Sequence, residues 1–169
     1  MRRYWPVALV VLLLDRASKI AAKSLLPAMP GGSYPLLPGV IHLTYAENTG
    51  VAFSMLQIAP WMLALLTFLV LVAAALALRR WVRPNRLNSC LVWALLGGGL
   101  GNCIDRLLYG YVVDFIELRF VHFAIFNVAD IAVTVSCILL ALMTAFEKNG
   151  EEHGKDSGKG RLRKRGDAA

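Results

Sequence analysis

Pro60-Trp61-Met62-Leu63-Ala64-Leu65-Leu66-Thr67-Phe68-Leu69-Val70-Leu71-Val72-Ala73-Ala74-Ala75-Leu76-Ala77-Leu78 contains no charged side chain. As a helix rising about 1.5 Å per residue, the run is long enough to cross a hydrocarbon core of roughly 30 Å. It stops at a basic cluster, Arg79, Arg80, Arg83 and Arg86, with Pro84 among them. Outward from it lie three more apolar runs: residues 4–14 after Arg2 and Arg3, residues 87–104, and residues 120–146, where His122, Asn127 and Asp130 are the polar exceptions. The whole chain of 169 residues is 57% hydrophobic with mean hydropathy +0.58. Soluble domains are usually about 45–50% apolar. The fold class expected is therefore a membrane α-helical protein with four transmembrane helices, at about 5–26, 60–78, 88–107 and 128–147.

The first run, taken alone, fits a secretory signal peptide. A retained helix is the better reading, because more hydrophobic segments follow. That helix continues through Asp15, Arg16, Lys19 and Lys23 to Leu26, before Pro27. Asp15 and Lys19 stand four apart with the acid first, the favourable order for a helical pair. In the third helix Gly97 and Gly101 make a small-xxx-small pair suited to close packing. The same spacing rules place Asn102 on one face with Asp105 and Arg106.

Between the first two helices, Pro27, Pro30, Gly31, Gly32, Pro35, Pro38 and Gly39 break any helix. Residues 40–45, Val-Ile-His-Leu-Thr-Tyr, then read as a strand. Asn48-Thr49-Gly50 is a turn signal, with a return strand expected at 51–53. Tyr109-Gly110 is a second turn. Residues 111–120, carrying Asp114, Glu117 and Arg119, fit a strand or an interfacial segment. These two intervals, 27–59 and 108–127, are expected to form a small extracytoplasmic sheet and loop region beside a single domain of residues 1–150. Residues 151–169 hold Gly, Lys, Arg and Glu with almost no core-forming side chain and are expected to be a disordered basic tail.

Thirteen of the 18 Lys and Arg residues fall at the N-terminus, in the loop of the second and third helices, and in the tail. A four-helix topology puts all of them on one side, which the positive-inside rule makes cytoplasmic, with both termini. The interval 27–59 has no Lys or Arg. The net charge of +7 forms no basic stripe interleaved with aromatics, so a nucleic-acid partner is not expected. Cys90, Cys103 and Cys137 lack CxxC spacing and read as buried, inert thiols.

Two acids in apolar company then stand out: Asp114 in Val112-Val113-Asp114-Phe115 and Asp130 in Phe126-Asn127-Val128-Ala129-Asp130. Each has an ordinary explanation. Asn127 can cap the fourth helix, leaving Asp130 at the third helical position, where an acid suits the dipole. Asp114 can be an exposed strand carboxylate. Their shared side and depth favour a functional pair, since two carboxylates that meet share a proton and do acid–base work. Other constellations fare worse. Ser18 and Ser24 near Lys19 and Lys23 are more simply explained as a helix surface. His42, His122 and His153 are scattered and no HExxH occurs. Gly99-Leu100-Gly101-Asn102 has Asn where the GxGD motif of presenilin-type proteases needs Asp.

Five stretches carry a family resemblance: Asp15-Arg16-Ala17-Ser18-Lys19; Asn48-Thr49-Gly50-Val51-Ala52-Phe53; the run from Gly98 to Arg106; Val112-Val113-Asp114-Phe115; and Phe126-Asn127-Val128-Ala129-Asp130. In this order, the chain resembles the bacterial lipoprotein signal peptidases (signal peptidase II) over about residues 4–147. The resemblance implies an aspartic endopeptidase of the inner membrane, acting as a monomer among membrane lipids, with neither cofactor nor metal. Its partners are lipid-modified prolipoproteins, cut just before the lipidated cysteine. It maps a catalytic pair onto Asp114 and Asp130, and supporting or substrate-binding positions onto Asp15, Lys19, Asn48, Gly50, Asn102, Arg106 and Asn127. Two readings compete: a small transporter or channel subunit using Asp15, Asp105 and Asp130 as ion sites, and a non-catalytic assembly factor packing through its glycine-rich helix. A transporter usually holds its acids near the midplane between repeated halves, and no internal repeat is visible.

Overall fold

The computed structural model describes residues 1–50 and 59–146. Four long helices form: α1 Trp5–Leu25, α2 Pro60–Trp81, α3 Arg86–Tyr109 and α4 Val128–Phe146. The expected return strand at 51–53, the expected end of the fourth helix at 147, and the tail lie outside the described residues. Helix α2 outruns its uncharged stretch because Arg79 and Arg80 occupy its last turn, where cations favour the helix dipole. Helix α3 starts two residues earlier than expected because Asn85 caps it, its side chain accepting from Asn88 N at 2.7 Å. It stops at Gly110, whose φ of 78° suits glycine.

Helices α2, α3 and α4 are each long and apolar enough to cross a membrane. Helix α1 has the length, at 21 residues, but carries four charged side chains in its second half. Two of these are turned inward: Asp15 is 0% exposed and Lys19 2%. The outward face is left to Leu9, Val10, Leu13, Leu14, Ile20 and Leu25. Among the thiols only Cys103 is buried; Cys90 is half-buried and Cys137 exposed on the outer face of α4, contrary to the expectation for all three. An apolar run does not say which side of a helix meets lipid.

Glycines make α3 the centre of the bundle. A Cβ at Gly97 would stand 2.6 Å from the Ala8 carbonyl oxygen of α1, and one at Gly98 2.7 Å from that of Ala129 in α4. At Gly99 it would overlap Leu71 of α2, and at Gly101 it would reach 2.6 Å from Asp15 Oδ2. The Gly97/Gly101 pair thus faces α1, as its spacing predicts. Each missing side chain admits a neighbour, and three helices close on one.

At one end of the bundle Val82, Leu91, Val92 and Leu140 pack with Met1, Leu78, Leu96 and Met143. The opposite end carries a three-stranded antiparallel sheet in the order β1-β2-β3, with β1 Ser33–Leu37, β2 Ile41–Asn48 and β3 Val112–Leu118. Strand β1 was not expected. Its Pro35 cannot donate to a ladder, but an edge strand tolerates that. Strand β2 runs three residues past the predicted 40–45, and β3 fulfils the strand alternative. Val113 and Phe115 of β3 pack on Ala22 and Leu26, fixing the sheet to the end of α1.

Candidate active site

Asp114 lies inside β3 and is buried. Its two oxygens face two amides. Asn48 Nδ2 donates to Oδ2 at 2.8 Å, and Asn127 Nδ2 donates to Oδ1 at 2.6 Å. Pairing of β2 with β3 sets Ala46 opposite Asp114 and Asn48 opposite Val112, after an irregularity between Leu43 and Ala46. The chain then turns, with Asn48 Oδ1 accepting from Gly50 N at 2.9 Å. Gly50 has φ 109°, and a Cβ there would overlap Leu63 of α2. Glycine is required on both counts.

Asp130 sits at the start of α4 in a reciprocal cap. Asn127 Oδ1 accepts from Asp130 N at 3.0 Å, while Asp130 Oδ2 accepts from Asn127 N at 3.1 Å. The capping explanation of Asp130 is therefore correct, yet it does not use up the carboxylate. The second oxygen, Oδ1, accepts from Asn102 Nδ2 at 2.7 Å, reaching across from α3. Asn127 Nδ2 also lies 3.2 Å from Asn102 Oδ1. One asparagine thus touches both aspartates, by its side chain and by its backbone.

Behind these amides lies a buried ionic cluster. Lys19 Nζ meets Asp15 Oδ2 at 2.8 Å, Asp105 Oδ2 at 2.7 Å and Asn102 Oδ1 at 2.7 Å. Two of the ammonium protons are used in hydrogen bonds to Asp15 and Asn102, while the contact with Asp105 is an ion pair without hydrogen-bond geometry. Arg16 Nη1 closes on Asp105 Oδ1 at 2.6 Å. Two acids and two bases balance, as burial of charge requires. Asp15 Oδ1 in turn accepts from Ala129 N at 3.1 Å, capping α4 from α1. Because Lys19 can only donate, it holds Asn102 Oδ1 toward itself and leaves Asn102 Nδ2 for Asp130.

All nine sequence-predicted residues lie at this end of the bundle, with Arg106 the least engaged. Its Nη1 reaches only the Asn102 carbonyl, at 3.5 Å, and its buried Nε has no partner among the described residues. The expected grouping of Arg106 with Asp105 is not formed, because Asp105 turns to α1. Asp105 and Arg16 are the structural contributors that the sequence reading did not assign to the site. Their positions in the Asp15–Lys19 and Gly98–Arg106 stretches were the available signal. Asp15 and Asp105, on which an ion-path reading depends, are both closed by Lys19.

Burial pushes the Asp114 carboxyl above its ordinary value of 3.8; the Asn48 and Asn127 amides oppose this, the Asp130 charge adds to it, and Lys19 opposes it. Folded Asp114 therefore keeps a proton that the unfolded chain has lost above 3.8. Its contribution to stability falls as pH rises from 3.8 through the raised value, and is unchanged below both. Relative to Asp114→Asn, which cannot titrate, the parent chain is expected to lose melting temperature as pH rises above 3.8. A difference in Tm that does not change over that range would contradict a raised carboxyl.

Two carboxylates are thus fixed from a strand and a helix, bridged by amides and coupled through charge, an arrangement of the kind that can supply a general acid and a general base in one frame. The family model for signal peptidase (SPase) II matches residues 7–146. A lipoprotein signal peptidase of Streptococcus pyogenes serotype M5 is 40% identical over 142 residues, 83% of this chain and 92% of that one. Its counterpart from Microcystis aeruginosa is 36% identical over 143 residues, 85% and 92% of the two chains. Two solved bacterial membrane enzyme structures, at 2.3 and 1.9 Å resolution, superpose with TM-scores of 0.75 and 0.74. They are 25% and 28% identical to it, cover 89% and 85% of this chain, and are each covered over 92% of their own length.

Proposed function

Because the chain belongs to the signal peptidase II family, we propose that Asp114 and Asp130 form an aspartic dyad that removes the signal peptide from diacylglyceryl-modified prolipoproteins. The observation that carries this reading is the double contact of Asn127, whose side chain donates to Asp114 while its backbone donates to Asp130. No single-residue explanation of either acid calls for that bridge.

The chemistry follows from the two environments. Burial favours the protonated form of Asp114, which leaves Asp130 the role of general base. Asp130 takes a proton from water, and the water oxygen attacks the scissile carbonyl carbon. Asp114 gives its proton to the carbonyl oxygen, so a neutral tetrahedral diol forms. On collapse Asp130 passes its proton to the leaving amine and Asp114 recovers one from a diol hydroxyl. The pair holds one proton before and after, and titrates as a unit. Lys19, Asn102, Asn127, Asn48 and Gly50 keep the two carboxylates in register, and Asp15 fixes the start of α4. The diacylglyceryl chains anchor the substrate in the bilayer and set the bond just before the lipidated cysteine at the dyad. Conversion of a purified lipid-modified precursor by the purified chain, with mass spectrometry of both products, tests this. A cut elsewhere, or equal cutting of the unmodified precursor, would refute it.

The site end of the bundle faces outward in this reading, and Arg79, Arg80, Arg83, Arg86 and both termini face the cytoplasm. Single cysteines introduced at Ser33 and Asn85, in a background lacking Cys90, Cys103 and Cys137, are expected to differ. An impermeant maleimide added outside should label position 33 and spare position 85. The reverse pattern would put the dyad on the wrong face.

A further inference from the structure

The sheet has two ends. At one, Asn48 of β2 holds Asp114. At the other, the β1–β2 turn is joined to the end of β3, with Arg119 N donating to Val40 O at 3.0 Å. This far tip is built from Leu36, Leu37, Val40, Phe120, Val121 and Phe123, all exposed, from 43% at Val40 to 68% at Phe120. Residues 34–40 and 120–126 contain no Asp, Glu, Lys or Arg. A water-facing sheet edge normally carries charge or bends away, and a continuous apolar patch on it marks an interaction surface.

Two observations say what meets this patch. The first is depth. Leu43 of β2 and Phe115 of β3 line an apolar groove of about 230 Å³ with Ser18, Ala21, Ala22, Leu25 and Leu26. Ser18, Ala21, Ala22 and Leu25 lie in roughly the last two turns of α1, a helix about 31 Å long, which by itself matches a bilayer core, and Leu26 follows directly. The sheet therefore rides beside the outer end of a span, not above it. The second is continuity. Exposed Leu25 and Met29 extend the apolar exterior of α1 toward β1. The charged pair at the end of β3 also suits a headgroup boundary. Glu117 is largely covered and pairs with Arg119 at 3.2 Å, and Arg119 itself is 45% exposed.

We propose that the tip formed by Leu36, Leu37, Val40, Phe120, Val121 and Phe123 inserts into the outer-leaflet interface, so that a phospholipid surface is the partner of the sheet. Arg119 lies at headgroup level, its stem along the apolar tip and its guanidinium among phosphates. Strand β2 then acts as a strut, with lipid at Ile41 and the dyad at Asn48. Eight residues at about 3.3 Å each set the two roughly 25 Å apart. The depth of the dyad is fixed by two supports, the helices and this tip. The inference rests on the outward placement of the site end, but not on any catalytic assignment.

The test reads depth directly. The full chain, with its three cysteines replaced by alanine, carries a single environment-sensitive fluorophore at Leu37→Cys or, separately, at Phe123→Cys. Each is reconstituted in vesicles of phosphatidylcholine and phosphatidylglycerol, with Pro84→Cys in the opposite loop as the aqueous reference. Brominated phosphatidylcholine is expected to quench both tip probes at least about three-fold more than the reference, with iodide showing the opposite order. Free quenching of the tip probes by iodide would overturn the proposal. Shielding from both quenchers would overturn it too, since a protein partner or second copy would then cover the tip. No step requires cleavage, so an inactive preparation leaves the result interpretable.

Discussion

Asp114→Asn and Asp130→Asn are each expected to reduce cleavage of a lipid-modified precursor by on the order of a thousand-fold or more, the range for losing a general acid or base. The double variant should be little worse than either single one, because two carboxylates sharing one proton work as a unit. The two substitutions differ structurally, and that difference supplies a control. At position 130 an amide oxygen can still accept from Asn127 N, so the cap survives. Its amino group, however, faces the Asn102 amino group, where an acceptor is needed. At position 114 two amide donors converge on what were two acceptors. Thermal stability of each variant should therefore be measured beside conversion. A stable, monodisperse Asp130→Asn that retains substantial turnover would return Asp130 to a purely capping role.

The second large effect is expected at Lys19. Replacement by Met keeps most of the volume and removes the charge, leaving Asp15 and Asp105 with Arg16 as the one remaining cation of the cluster. Breaking a buried pair in this way costs about 3–5 kcal/mol. For a chain of this size that is a fall in Tm on the order of 10 °C. Activity should fall as well, for a separate reason: Asn102 Oδ1 loses the nearer and charged of its two donors and keeps only Asn127 Nδ2 at 3.2 Å, so its orientation toward Asp130 is weakened. Adding Asp15→Asn separates the two effects. It restores charge balance and keeps an oxygen for Ala129 N, so much of the lost Tm should return. The orientation of Asn102 is not restored, so turnover should stay low. Joint recovery of stability and turnover would show that Lys19 serves folding alone.

Much of this architecture was legible because a membrane makes polar residues conspicuous. Asp114, Asn127 and Asp130 stood out as polar positions in apolar runs, and the structure joins them. The 60–78 run and the Gly97/Gly101 spacing likewise held, since helix length and small-residue packing are local properties. What failed was set by neighbours. Helical spacing groups Asn102, Asp105 and Arg106, but only the approach of α1 decides that Asp105 turns to Lys19 and Arg16 while Arg106 does not. Strand β1 was hidden because Pro35 and the surrounding glycines read as loop, and pairing with β2 overrides that preference. Helix α1 has the reverse history. Its charges interrupt an apolar span, and burial of Asp15 and Lys19 against α3 turns those two into the support of the site.

The glycines of α3 carry a consequence for how the enzyme meets its surroundings. Gly97 admits the backbone of α1 and Gly98 that of α4, and these two helices supply Asp15 and Ala129, the partners in the cap that seats Asp130. The placement of the proposed dyad is therefore tied to the lateral packing of helices. Lateral pressure in the lipid, which squeezes or relaxes such contacts, becomes a variable of the active site itself.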